Sequence, residues 1–75
     1  MEFPQFRKLK NGKAVYQITA PNAFTELQLV GAKWFKYEFE VSQFPDLLRI
    51  QDMLAATQSF EEIDATEFQA IFAQL

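Results

Sequence analysis

Side chains alternate in character from Trp34 onward in the segment from 33 to 41. One side of an extended chain would carry three aromatic residues, Phe35, Tyr37 and Phe39, while the other would carry Trp34 and charged residues. This period of two is typical of a β-strand with one buried face. We therefore predict that the segment forms the central strand of a sheet.

A first hairpin is predicted around Asn11 and Gly12. Asn-Gly favours a type I′ turn, which needs positive φ at both central residues. A two-residue turn joins strands over 3–9 and 13–19 and places Arg7 opposite Tyr16. We predict one core face and one mostly solvated face for this hairpin. The core face carries Leu9, Ala14, Tyr16 and Ile18, and the solvated face carries Phe6, Lys8, Lys10, Lys13 and Val15.

The segment 24–30 leaves two interpretations open. Asn22 could cap a short helix that Gly31 ends. Alternatively the segment is a strand, because Gly31 followed by Ala32 fits a type II′ hairpin turn into the strand 33–41. We favour the strand, whose register sets Phe24 opposite Phe39.

Two helices and a short strand are predicted in the last third of the chain. Apolar residues at helical spacing predict a helix over 46–56, which Pro45 helps to begin, and a loop over 57–59. The segment 60–63 has the character of a short strand. A helix over 65–74 follows, with Asp64 and Glu67 forming a capping box.

These elements predict an α+β fold in a single domain over residues 1–75. Four to five antiparallel strands form a meander, and one or two helices, including a C-terminal one, pack on one face. The predicted core is rich in aromatic residues, as a small chain requires. It contains Leu9, Tyr16, Ile18, Phe35, Tyr37, Phe39, Leu47, Ile50, Leu54, Ile63, Phe68, Ile71 and Phe72.

The amino-acid composition excludes several kinds of catalytic and metal site but does not identify a function. The 75 residues include no cysteine, no histidine and only two glycines. Cysteine–histidine nucleophile pairs, thiolate or imidazole metal sites and glycine-rich phosphate loops are therefore excluded. We expect no enzyme, cofactor or metal. The sequence shows no apolar run long enough for a membrane span and no apolar leader, so we expect a cytoplasmic protein.

Charge is distributed unevenly along the chain. Residues 1–37 carry six basic and two acidic side chains, a net +4, and residues 38–75 carry one basic and eight acidic, a net −7. One interpretation is that folding brings the halves together and that they complement each other. The alternative is a surface for single-stranded nucleic acid, where basic groups lie beside stacking aromatics. Its candidate residues are Arg7, Lys8, Lys10, Lys13 and Lys36.

The second hairpin leads to the main functional hypothesis. Its register sets Leu27, Leu29 and Trp34 on the face opposite the aromatic residues, so both faces of the hairpin are partly apolar. A helix, the C-terminal segment or another protein must cover this second face. We expect Trp34 to be either core or interface. The hypothesis is a non-catalytic module that binds a protein partner or forms a homodimer there.

Three stretches together resemble a family of short uncharacterised bacterial proteins. They are Phe24-Thr-Glu-Leu-Gln-Leu-Val-Gly31, Phe44-Pro-Asp-Leu-Leu-Arg-Ile-Gln-Asp-Met-Leu54 and Phe60-Glu-Glu-Ile-Asp-Ala-Thr-Glu-Phe68. The resemblance implies a single bacterial domain. It implies no activity and no functional residue.

Overall fold

A five-stranded antiparallel sheet organises the protein, and the predicted α+β class is confirmed. The computed structural model describes residues 2–56 and 59–75. Within these residues the chain forms β1 (Gln5–Leu9), β2 (Ala14–Ala20), β3 (Ala23–Val30), β4 (Lys33–Glu40), α1 (Phe44–Leu54), β5 (Phe60–Glu62) and α2 (Ala65–Phe72). The strand order across the sheet is β4-β3-β2-β1-β5.

The β1–β2 hairpin has the predicted register but a different turn. Arg7 pairs with Tyr16, as the pattern predicts. Gly12 has a φ of 76°, whereas Asn11 does not have positive φ, so the type I′ prediction is wrong. The Gly12 N–H donates to the Leu9 carbonyl at 2.9 Å, and the Asn11 side chain accepts from the Lys13 N–H at 2.9 Å. The Asn11 side chain therefore forms an Asx turn with the Lys13 N–H, in place of the predicted type I′ turn.

The β3–β4 hairpin agrees with the strand interpretation of 24–30. Phe24 pairs with Phe39, as predicted from the turn. Gly31 has a φ of 63° and Ala32 does not have positive φ, which is the combination that a type II′ turn requires. A single glycine at the first central position is enough to fix the register of the whole hairpin.

The segment 33–41 forms a strand, but the prediction that it is central is wrong. β4 lies at one edge of the sheet, because β1 pairs with β2 on one side and with β5 on the other. All the other strands of the sheet therefore lie on one side of β4. Alternation within a strand indicates that one of its faces is apolar, but it does not indicate how many neighbouring strands the segment has.

Each face of the sheet holds one helix, so the two helices do not share a face as the prediction had it. On the α1 face, Tyr16, Ile18 and Phe24 pack with Ile50 and Met53 of α1. On the α2 face, the buried residues are Val15, Leu27 and Phe68, and Phe6 packs against them. Consecutive residues of a strand point to opposite faces, so β2 supplies both clusters. The face of the first hairpin that was expected to be mostly solvated is thus covered at Phe6 and Val15 by the C-terminal helix.

The core differs from the prediction mainly at β4. Tyr16, Ile18, Ile50 and Phe68 are buried as predicted, and Leu9, Leu47, Leu54, Ile63 and Ile71 are half-buried. Phe35, Tyr37, Phe39 and Phe72 are exposed, so their assignment to the core is wrong. The core instead includes Val15, Phe24, Leu27 and Met53. α1, the helix on the same face as the edge aromatics, packs mainly on β1 and β5 and leaves those aromatics uncovered.

The helix ends follow from local sequence signals. Asp64 caps α2 by accepting from the Glu67 N–H at 2.8 Å. Glu67 does not complete the predicted capping box, because its carboxylate accepts from Lys8 at 2.9 Å instead. Pro45 lies in the first turn of α1. The predicted loop over 57–59 falls outside the described residues at Thr57 and Gln58.

Candidate protein interface at the open edge

An aromatic row made of Phe35, Tyr37 and Phe39 runs along β4 on the α1 face. Their exposed fractions are 43%, 43% and 37%. Phe39 stacks on the buried Phe24 with ring centroids 4.8 Å apart, which anchors one end of the row. Phe44, the first residue of α1, is also exposed. Large apolar groups exposed side by side on one face are typical of an interaction surface.

The backbone of β4 has a free hydrogen-bonding edge. The Val41 N–H donates to the Asn22 carbonyl at 2.8 Å, across the continuation of the β3–β4 ladder. Because inward and outward groups alternate along a strand, the odd-numbered residues of β4 bond to β3. The N–H and C=O groups of Trp34, Lys36, Glu38 and Glu40 therefore point away from the sheet. β4 contains no proline and no bulge along its eight residues.

A polar cluster lies behind the aromatic row, between β2, β3 and α1. Arg49 Nη2 lies 3.4 Å from Glu26 Oε2 and 3.5 Å from the Tyr16 hydroxyl. Its guanidinium also lies 5.6 Å from the centre of the Phe24 ring. Glu26 pairs across the sheet with Tyr37 of the row. Arg49 thus neutralises the one carboxylate of β3, which lies on the same face as the row.

Burial raises the pKa of the tyrosine in this cluster. Tyr16 is 1% exposed. Desolvation raises the pKa of Tyr16 to about 12, and a hydrogen bond and the negative charge of Glu26 act in the same direction. The fold therefore favours the neutral form of the Tyr16 hydroxyl, which lies between Glu26 and Arg49.

The surface predicted from Leu27, Leu29 and Trp34 is largely occupied by the chain itself. Leu27 has no exposed surface and packs with Val15 and Phe68. Trp34 is half-buried and packs against the same cluster. Leu29 is half-buried. Since α2 covers this face, Leu27 belongs to the core, and the exposed apolar surface lies on the opposite face of the same hairpin.

The predicted basic patch is not assembled. Arg7 is 5% exposed and donates to the carbonyls of Met53 at 2.9 Å and Leu54 at 3.0 Å. Lys8 lies on the other face. Its hydrogen bond to Glu67, and a smaller effect of its hydrogen bond to Glu61, raise the pKa of Lys8. Arg7 and Lys8 alternate along β1, so they cannot contact one phosphate backbone together.

The remaining basic residues of that prediction also lie apart. Lys10 and Lys13 are exposed at the β1–β2 turn. Lys36 lies on β4, and its Nζ is 3.7 Å from Glu38 Oε1 and 5.7 Å from the centre of the Phe72 ring. In the sheet, β3 lies between β4 and the β1–β2 hairpin. The basic residues therefore face different neighbours and do not form one patch.

Neither a metal site nor a membrane-spanning helix is present among residues 2–56 and 59–75. Within that part of the chain, no three acidic side chains lie close enough together to hold a metal ion. Neither helix is long and apolar enough to cross a membrane. The chemistry assembled at β4 is thus an apolar row, a free backbone edge and alternating charges.

Sequence reasoning missed this interface because it assigned the aromatic row to the core. A signal was nevertheless present on β3. Gln28 is exposed and lies opposite Phe35 on the same face. A polar residue directly beside an aromatic row argues against a fully buried location.

Comparisons of the chain with protein-family models, with curated proteins and with solved structures found no match. The resemblance to short bacterial proteins therefore stays a prediction. The geometry of the open edge carries the functional argument alone.

Proposed function

We propose that this chain is a non-catalytic cytoplasmic module that associates with a protein strand through β4. The observation that carries the proposal is the coincidence of two features on one strand. The aromatic row, Phe35, Tyr37 and Phe39, is 37–43% exposed. The same strand, over its eight residues, has backbone groups that point outward from the edge of the sheet. An added strand would satisfy those groups and at the same time bring its own side chains against the row.

Natural edge strands are usually protected against such pairing. Short length, proline, bulges and charged side chains, especially lysine, are the common devices. β4 has none of the first three. It does carry charges, but apart from Lys33 at its start they lie on the α2 face, away from the aromatic row. The α1 side of this edge therefore has little of this protection, which favours pairing there.

The direct test is a proline on the outward-facing side of the edge. The Glu38 N–H points away from β3, so Glu38→Pro removes a donor that the monomer does not use. We expect this variant to stay folded by circular dichroism and to lose association. Glu38→Thr is the matched control, because it removes the same charge but retains the N–H and favours a strand.

Association is measured by size-exclusion chromatography of the tagged chain, both purified and in extract of the cells that express it. We expect a complex with the wild type and with Glu38→Thr, and only monomer with Glu38→Pro. A wild-type monomer in both settings would overturn the proposed function. So would a complex that survives Glu38→Pro in a folded chain.

A further inference from the structure

We propose that the strand received by β4 is β4 of a second copy of this chain, paired antiparallel so that Tyr37 faces Tyr37 of the other copy. This inference rests on the proposed function and names its partner. Two five-stranded sheets would then join into one continuous sheet through their open edges. Symmetry, charge and the aromatic row each support this pairing.

Symmetry limits the possible registers. Two identical edges pair antiparallel around a two-fold axis that is perpendicular to the sheet. Such an axis keeps the α1 faces of both copies on the same side. Odd-numbered residues of β4 therefore face odd-numbered residues, and Lys36 and Glu38 can face only even-numbered ones. This is also the pairing in which the outward N–H and C=O groups of both copies meet.

Charge then selects one register from this set. With Tyr37 at the axis, Lys36 of each copy faces Glu38 of the other, and no like charges meet. With Lys36 at the axis, two lysines face each other, and with Glu38 at the axis, two glutamates do. Moving the axis to Phe39 sets Glu38 against Glu40. Like charges directly opposite one another destabilise a strand pair, and opposite charges stabilise it.

A fifth register, with Phe35 at the axis, leaves much of the strand unpaired. It sets Glu38 and Phe39 opposite the β3–β4 turn at Gly31 and Ala32. The registers centred on Lys36 and on Tyr37 overlap most of Lys33–Glu40, because seven of its eight residues lie opposite one another in each. Of these two, only the Tyr37 register avoids like charges, so overlap and charge complementarity together select the axis at Tyr37.

The aromatic row fits this register as well. Phe35 of each copy would face Phe39 of the other, and the two Tyr37 rings would meet at the axis. These odd-numbered pairs are the non-hydrogen-bonded ones, in which side chains of an antiparallel pair approach most closely. Aromatic pairs at such positions add to the stability of the sheet. The aromatic rows of both copies would thus form one continuous strip.

The test uses two single charge reversals, Lys36→Glu and Glu38→Lys, studied separately and mixed. Each variant alone sets like charges opposite each other twice per dimer. We expect the Kd for self-association to rise at least about tenfold in each. In an equimolar mixture, position 36 of each variant would face the opposite charge at position 38 of the other. The mixture should therefore form a heterodimer with a Kd close to that of the wild type.

The mixture separates the interface from effects inside one chain. Lys36 and Glu38 lie 3.7 Å apart within each copy, and both variants lose that ion pair whether mixed or not. Recovery on mixing therefore requires contact between copies. Sedimentation velocity over a wide concentration range gives each Kd, and circular dichroism confirms that both variants fold.

Three outcomes would overturn the inference. The first is a wild-type dimer that neither variant weakens, and the second is a mixture that stays as weak as its components. The third is a wild-type chain that is monomeric at every concentration. In that third case the proposed function still stands if the complex in cell extract is lost with Glu38→Pro and kept with Glu38→Thr. The partner would then be a different protein.

Discussion

The two edges of this sheet differ in almost every property that governs strand pairing. β5 has three residues, and its Glu61 and Glu62 form ion pairs with Lys8 at 3.3 Å and Arg7 at 3.5 Å. β4 has eight residues, an aromatic row and an outward-facing backbone ladder. A short edge strand whose side chains form ion pairs with its neighbour is poorly suited to pair with another strand. β4, in contrast, has the length and the apolar surface to do so.

The helices increase this difference. α1 packs mainly on β1 and β5, whereas α2 packs mainly on β1 and β2 and also reaches Leu27 of β3 and Trp34 of β4 on the opposite face. Residues under the helices are closed off from water, and Phe68 is 1% exposed. The sheet thus has a covered half that holds the fold together, and an open half, the α1 face at β4, that is available for contact.

Phenylalanine truncation should separate the two halves most clearly. We expect Phe68→Ala to lower the free energy of unfolding by about 3–5 kcal/mol, because it empties the cluster that includes Val15 and Leu27. Phe35→Ala, measured in dilute monomer, should cost about 1 kcal/mol, since its ring is already 43% exposed. Urea denaturation gives both values. Equal losses at the two positions would mean that the open half is as much core as the covered half.

Arg7 allows the stability contributed by a buried basic side chain to be compared with that of an exposed one. Its guanidinium supplies donors to the last carbonyls of α1, which has no basic residue of its own in that turn. Arg7→Met should lower the free energy of unfolding by about 2–3 kcal/mol, because buried carbonyls lose their partners. Urea denaturation measures this loss as well.

The control for Arg7 is Lys13→Met at the exposed β1–β2 turn. It removes the same charge and should change stability by less than about 0.5 kcal/mol. Similar effects from both substitutions would mean that Arg7 acts through net charge rather than through α1.

High pH should weaken the covered half through Tyr16. Its pKa is raised from 10.0 to about 12 in the folded chain, so the fold favours the neutral hydroxyl. This contribution is fully present below pH 10 and is lost as the pH rises through about 12. We expect the free energy of unfolding of the wild type to fall over that range by about 1–2 kcal/mol more than that of Tyr16→Phe. Parallel pH curves for the two proteins would contradict the assignment.

The smallest predicted effect lies at the end of α1. Ala56 has a φ of 51°, a left-handed conformation that is unfavourable for a residue with a Cβ. Ala56→Gly should raise the free energy of unfolding by about 0.4–1 kcal/mol, since glycine adopts this conformation without strain. Ala55→Gly, one residue earlier with a φ of −74°, should not stabilise the chain. Stabilisation by both substitutions would point to a cause other than backbone strain.

Local signals in the sequence were enough to predict the strands, both hairpin registers and the two helices. Gly31 and alternation placed Phe24 opposite Phe39, and Asp64 marked the start of α2, as the structure confirms. These features depend on neighbours close in the chain. The class of fold followed from their order.

The location of the candidate interface could not be predicted in the same way. Alternation fits a central strand and an edge strand equally well, so Tyr37 was assigned to the core. Its exposure depends on β5 pairing with β1 rather than β4, and on α1 packing mainly on β1 and β5. Both are contacts between segments that lie far apart in the sequence. Leu27 shows the converse, since it was assigned to an interface and is covered by Phe68 from the C-terminal helix.

The central claim is that β4 has a free edge that a strand of a second copy can occupy, and amide hydrogen exchange tests it most directly. The Lys36 and Glu38 amides point outward and should exchange fast in dilute solution, whereas the Phe35 and Tyr37 amides, bonded to β3, should be protected. At concentrations where the chain is dimeric, we predict that Lys36 and Glu38 become protected too. Fast exchange of these two amides in the dimer, or their protection in the monomer, would contradict the account.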